Sequence, residues 1–243
     1  MKMSPDDFPQ EIRPRLISYL KTLQRRGIKS IYQQAASAPV EAAVHRAHPE
    51  AKADGPGDGG VERRLAELDA QVKACTDCRL HEGRTNTVFG KGDPTSRVMF
   101  IGEGPGRDED LQGAPFVGRS GQLLTKMLAA IDLRREDVYI TNIVKCRPPE
   151  NRAPEDDEVR CCEKYLSAQI DAIRPRVICA LGRVAAQWLL DTKAPLSELR
   201  GAENVHKETP VLVTYHPAAL LRNPGLKRDA WDDFKKLRAI IEG

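Results

Sequence analysis

The chain has no apolar run near the roughly 20 residues that a membrane helix needs, which excludes a spanning helix. Its first residues, MKMSPDDFPQ, lack the apolar centre of a secretion signal, so export is not expected and a cytoplasmic location is. Charge of one sign is nearly absent as well: 38 Lys and Arg oppose 35 Asp and Glu. The net charge of +3 permits a nucleic-acid partner without demanding one. No heptad repeat marks an oligomer, so a monomer is expected. No Gly-Lys-Ser/Thr ending completes a P-loop, and no glycine spacing matches a dinucleotide fingerprint. What remains is ample for a core, with 40% hydrophobic and 30% charged residues in 243. At about 100–200 residues per domain, that length carries one mid-sized domain plus extras.

Residues 8–36 predict helix, with Ile12, Leu16, Tyr19, Leu20 and Leu23 on one stripe and Gly27 as a stop. From Ala35 to Gly60 the chain is rich in Ala, Pro and Gly and loses apolar periodicity, as a flexible linker does. The expected organisation is therefore a helical extension and linker over 1–60, followed by one domain over 61–243. That domain opens with a short helix, Val61–Ala74 (Leu65, Leu68, Val72). Four strands follow, at Arg97–Gly102, Val138–Val144, Arg176–Leu181 and Val211–Tyr215, each apolar or β-branched enough to be buried on both faces. Helices are expected at Gly121–Ile131, Pro154–Ile173, Arg183–Leu190 and Asp229–Ile241, the second with proline in its first turn and acids beside it. This alternation predicts an α/β fold with a mostly parallel sheet covered on both faces. Sites in such sheets gather beyond the carboxyl ends of the strands.

After the first strand comes Gly102-Glu103-Gly104-Pro105-Gly106-Arg107-Asp108-Glu109-Asp110. An ordinary turn would account for the glycines, but such a loop also lets a ligand approach the backbone closely. Three successive acids would repel free phosphate, so a neutral ligand suits the loop better. Phe116 sits among small loop residues, where it can plug the core or stack on a planar base. Asn142 stands in an apolar strand and must find hydrogen-bond partners or cost about 1–3 kcal/mol. Its amide could serve a neighbouring loop, or offer a donor and an acceptor to a nucleobase edge. Of five histidines, His216 alone falls at the carboxyl end of a strand, with Pro217 stiffening the turn. Leu220, Leu221 and Arg222 then read as an exposed apolar wedge beside a phosphate contact.

Six cysteines in a chain with no leader suggest thiols kept for a metal rather than for disulfides. Cys75 and Cys78 form a C-x2-C pair, and Cys146 is followed at a distance by the adjacent Cys161 and Cys162. Such a set can hold zinc or an iron–sulfur cluster, and spacing alone chooses neither the metal nor between Cys161 and Cys162. Cys179 lies inside the third strand and reads as core.

Three stretches, GEGPGRDEDLQGAPFVG, TNIVKCRPPENRAP and HPAALLRNP, resemble the family 4 uracil-DNA glycosylases, the iron–sulfur type of bacteria and archaea. The resemblance runs from about Cys75 to the C-terminus, in the family's order and spacing; residues 1–60 fall outside it. It implies a four-stranded parallel sheet flanked by helices. It also implies a structural [4Fe–4S] cluster on Cys75, Cys78, Cys146 and Cys162, and a substrate of uracil-containing DNA, single- or double-stranded. The implied reaction is hydrolysis of the bond between uracil and deoxyribose after the nucleotide is flipped out, leaving an abasic site.

By the same resemblance, Phe116 stacks on the base and Asn142 reads its O4 and N3 edge. The Glu103 and Gly104 amides line the pocket, and Leu220, Leu221 and Arg222 hold the DNA. His216 is expected to donate to O2, where negative charge develops on departing uracil. Glu109 is expected to position water or stabilise the cationic sugar. A related subgroup traps uracil covalently with a histidine after the second strand; KCRPPENRAPEDDE contains none, which favours turnover. The competing reading is a non-catalytic binder of uracil-containing or damaged DNA, with a zinc-stabilised nucleotide-binding module behind it.

Overall fold

A computed structural model describes residues 59–242. The helix expected over 8–36 and most of the expected linker lie outside the described residues. Gly59 and Gly60, placed in the linker by their composition, instead form the first turn of helix α1 (Gly59–Ala74). The one-turn α2 (Leu80–Gly83) precedes strands β1 (Lys91–Gly92) and β2 (Val98–Gly102). Helices α3 (Arg107–Gln112) and α4 (Arg119–Ala129) lead to β3 (Tyr139–Asn142), and α5 (Asp156–Ile173) leads to β4 (Val177–Leu181). The rest runs α6 (Arg183–Leu189), α7 (Leu196–Leu199), β5 (Asn204–His206), β6 (Thr209–Thr214), α8 (Pro217–Arg222) and α9 (Lys227–Glu242).

These strands form one mixed sheet in the order β1-β3-β2-β4-β6-β5. The four expected strands are its parallel centre, β3-β2-β4-β6. The expectation of a four-stranded parallel sheet is corrected at the edges, where β1 and β5 pair antiparallel to β3 and β6. Both edge strands are too short to show an apolar alternation, yet they pair the outer edges of β3 and β6.

The side-chain period of two sends alternate residues of each strand to opposite faces. Met99 and Ile101 of β2 join Ile178, Ala180, Val211 and Val213 under α1, α5 and α6. Val98 and Phe100 join Ile140, Cys179 and Leu181 under α4 and α9, with Leu124, Leu128, Phe234 and Leu237. Cys179 is buried there, as its sequence position predicts.

Pro154 does not sit in the first turn of α5. Glu155 is the N-cap, and Glu158 returns its carboxylate to the Glu155 N–H in a capping box (2.8 Å). Arg152 donates to both oxygens of the buried Glu158, at 2.8 and 2.7 Å. This fixes the segment between β3 and α5, part of which lines the site.

Candidate active site

The register sets Gly102 beside Asn142 and Leu181 beside Thr214, so the central strands end along one rim of the sheet. A cleft of about 490 Å³ opens over that rim. Glu103, Gly104, Glu109, Phe116, Asn142, His216 and Arg222, all expected site residues, line it. Sequence separations of more than 100 residues are closed by the sheet alone.

Asn142 ends β3 with only 1% of its surface exposed. Its Oδ1 is buried and has no hydrogen-bond partner. Gly102 makes this packing possible, because a Cβ there would stand 2.4 Å from Asn142 Oδ1 and 2.6 Å from the Phe116 ring. Phe116 is buried with a backbone φ of 52°, a left-handed conformation that an aromatic residue seldom adopts. Glu109 holds the loop in that shape, Oε1 accepting the N–H groups of Val117 and Gly118, both at 2.9 Å. The half-buried Arg135 donates to the Pro115 carbonyl from the other side. The third acid of the run, Asp110, accepts the Thr85 and Asn86 N–H groups at 2.9 and 3.3 Å and ties α3 to the segment after the C-x2-C pair. Two of the three acids thus work within the fold, which the composition of the loop did not reveal.

His216 is the N-cap of α8, with Nδ1 accepting the Ala218 N–H at 3.1 Å. An Nδ1 that accepts cannot carry a proton, so the neutral ring bears its hydrogen on Nε2. Burial, reinforced by the nearby Arg222 charge, lowers its pKa to about 4. The ring lies 5.4 Å from that of Phe116 at an interplanar angle of 34°. The cleft therefore presents a tilted aromatic pair, a buried amide and a neutral N–H donor. Glu103 stands at the same rim, its carboxyl pushed above the usual range by burial, while Arg183 and Arg222 oppose that rise. Arg107, Arg119 and Arg222 line the cleft without an ion-pair partner among the described residues, unlike Arg152.

The two wedge leucines divide. Leu220 is 1% exposed and packs beside α4 and α9, so it cannot project toward a ligand. Leu221 is 37% exposed. An i, i+1 pair on one helical turn cannot face the same way, and that geometry was available from the sequence.

Cys75, Cys78, Cys146, Cys161 and Cys162 line one small, largely apolar cavity. Arg84 Nη1 donates to Cys146 Sγ at 3.1 Å, and the Lys145 N–H to Cys162 Sγ at 3.3 Å. N–H donors aimed at sulfur suit thiolates that carry charge. Among the described residues, no three His, Cys, Asp or Glu side chains gather closely enough to grip a single metal ion.

The sequence reading passed over Lys145. It is fully buried and bonded three times, and a lysine between Val144 and Cys146 in an apolar stretch was the available signal.

A cleft at the carboxyl rim of the central parallel strands is where an α/β protein takes its ligand. A profile of the uracil DNA glycosylase superfamily matches residues 89–235. The type-4 uracil-DNA glycosylase of Archaeoglobus fulgidus is 49% identical over 181 residues, covering 71% of this chain and 91% of the relative. That of Thermotoga maritima is 44% identical over 185 residues, covering 74% and 96%. A type-5 uracil-DNA glycosylase of Pyrobaculum aerophilum is 35% identical over 151 residues, 55% of this chain and 66% of the relative. The chain belongs to the uracil DNA glycosylase superfamily and, within it, to the type-4 uracil-DNA glycosylases.

Proposed function

We propose that this uracil-DNA glycosylase repairs DNA by drawing a flipped uracil nucleotide into the cleft and hydrolysing its N-glycosidic bond. Water adds across the C1′–N1 bond, the bonding pair leaves with the base, and uracil and an abasic site result. The observation that carries this reading is the buried, unpartnered Asn142 Oδ1. Uracil offers an N3–H donor to that oxygen and an O4 acceptor to the amide nitrogen beside it. Cytosine presents the reverse pattern and would leave buried polar groups unpaired, which rejects it strongly.

Phe116 stacks on the base, and the Glu103 and Gly104 N–H groups lie on the loop beside it. The departing ring gathers negative charge at O2, and the His216 Nε2–H donates to it as a neutral group. Glu109 has Oε1 committed to the Phe116 loop, so Oε2 is the oxygen left to orient water or face the cationic sugar. Leu221 fills the space the nucleotide vacates, and Arg222 meets the backbone with Arg107 and Arg119. A non-catalytic binder would have no use for a donor aimed at the leaving group. Cys75, Cys78, Cys146 and Cys162 would hold a [4Fe–4S] cluster. When bound, it supplies a covalent cross-link between the segment before α2, the β3–α5 connection and α5.

The test is excision from an end-labelled strand with a single uracil, beside cytosine and thymine controls, followed by alkali. Cleavage at uracil alone, with many turnovers per protein, is expected. Tight binding without cleavage by iron-replete protein would replace the enzyme with the binder.

A further inference from the structure

Lys145 has no surface exposure, yet its Nζ makes three short hydrogen bonds. It donates to Thr141 Oγ1 at 2.7 Å, to the Asn142 main-chain carbonyl at 2.7 Å and to Gln169 Oε1 at 2.6 Å. Three donors meet three acceptors, which is what a buried ammonium group requires. The acceptors are in turn fixed. Thr141 Oγ1 donates to the Phe89 carbonyl at 2.7 Å, and Gln169 Nε2 to the same carbonyl at 3.0 Å and to Tyr139 Oη at 3.1 Å. One polar knot therefore joins the end of β3, the middle of α5 and the segment that follows the C-x2-C pair. None of these side chains reaches the cleft, so no contact with the base accounts for them.

The knot grips the peptide of one particular residue. Asn142 is the last residue of β3, and its side chain is the amide on which uracil recognition is proposed to rest. Beyond it the Ile143 and Val144 N–H groups still bond to the Gly102 and Glu103 carbonyls, at 3.0 and 3.3 Å, and a displaced amide would meet the base edge out of register. A buried lysine is an expensive way to hold a carbonyl, because any lost partner leaves a desolvated polar group. Three bonds of 2.6–2.7 Å converge on its nitrogen. We propose that Lys145 is a positioning residue for base recognition: by clamping the Asn142 carbonyl to Gln169 of α5, it sets where the Asn142 amide meets the uracil edge. The inference rests on the reading of Asn142 given above.

A double-mutant cycle tests it, using Lys145→Met, Asn142→Ala and the pair, each purified with its iron content verified. A misplacement on the order of 1 Å costs about 100-fold in rate. Lys145→Met is accordingly expected to lower kcat/KM for uracil excision by about 10- to 100-fold. Affinity for DNA carrying an abasic site, which has no base for Asn142 to touch, is expected to stay within about twofold. In the Asn142→Ala background the Lys145→Met loss is expected to shrink well below its single-variant value. Equal losses in excision and in abasic-site affinity, or losses that simply multiply in the cycle, would assign Lys145 to general stability and overturn the proposal. Undiminished excision by Asn142→Ala alone would instead overturn the reading of Asn142. Should Lys145→Met fail to fold, Gln169→Met, which removes one anchor and leaves the lysine, enters the same cycle under the same criteria.

Discussion

The proton on His216 has a consequence that can be measured. Because the Ala218 N–H already occupies Nδ1, protonating that nitrogen would set two N–H groups against each other and break the cap of α8. With a pKa of about 4 the ring is neutral in all but about one molecule in a thousand at pH 7. The folded pKa lies below the ordinary value, so the neutral donor is present throughout the range above about pH 5 and is lost only as pH falls through 4. Single-turnover excision should therefore show no His216 ionisation between about pH 5 and 8, where an ordinary histidine titrates. Replacing His216 by Asn keeps a capping acceptor for Ala218 but withdraws the Nε2 donor. Loss of one such donor costs on the order of 100- to 1000-fold, about 2.7–4 kcal/mol of transition-state stabilisation. Quench-flow rates across that range, together with 15N chemical shifts of the two ring nitrogens, provide the assay. A rate that rises on acidification with a midpoint near the ordinary histidine pKa, or shifts that put the proton on Nδ1, would refute the reasoning.

Three further outcomes follow from the two wedge leucines and from the cysteines. Leu221→Ala should slow excision from duplex DNA more than from single strands, which have no vacated stack to fill, and should leave stability within about 0.5 kcal/mol. Leu220→Ala should instead cost about 2–5 kcal/mol in chemical denaturation, because it opens a cavity beside α4 and α9. Cys162→Ser should lower the iron bound per chain while Cys161→Ser retains it, measured by iron analysis and visible absorbance. The opposite result would transfer the ligand role to Cys161.

The four central strands were legible because each is a short apolar run bounded by turn residues, and such runs belong in the middle of a parallel sheet. The candidate site followed from them, since Glu103, Asn142 and His216 all lie at or just beyond strand ends. What stayed hidden has particular physical causes. Lys91-Gly92 is too short to carry a pattern, so β1 could be found only by its pairing with β3. The start of α5 was placed two residues early because Pro154 supplies the usual cue, while the Glu155–Glu158 box sets the start at Asp156. Asp110 and Glu109 read as repulsive charges because their partners are backbone N–H groups 8 to 25 residues away, which no local spacing encodes. Lys145 was overlooked for a similar reason: its partners come from two elements that meet only in the folded sheet.

The Glu109 grip on the Phe116 loop bears on how the enzyme meets its substrate. An extrahelical base returns to the stack quickly, so capture depends on whether a surface is waiting when the base emerges. With the Phe116 backbone already at a φ of 52° and its loop held by hydrogen bonds within the chain, the proposed stacking would need no loop to close first. Encounter would then be paced by the opening of DNA rather than by motion of the protein. The corollary is that closure would not serve as a second checkpoint: a ready platform would greet every flipped base alike, and rejecting cytosine would fall to the Asn142 amide.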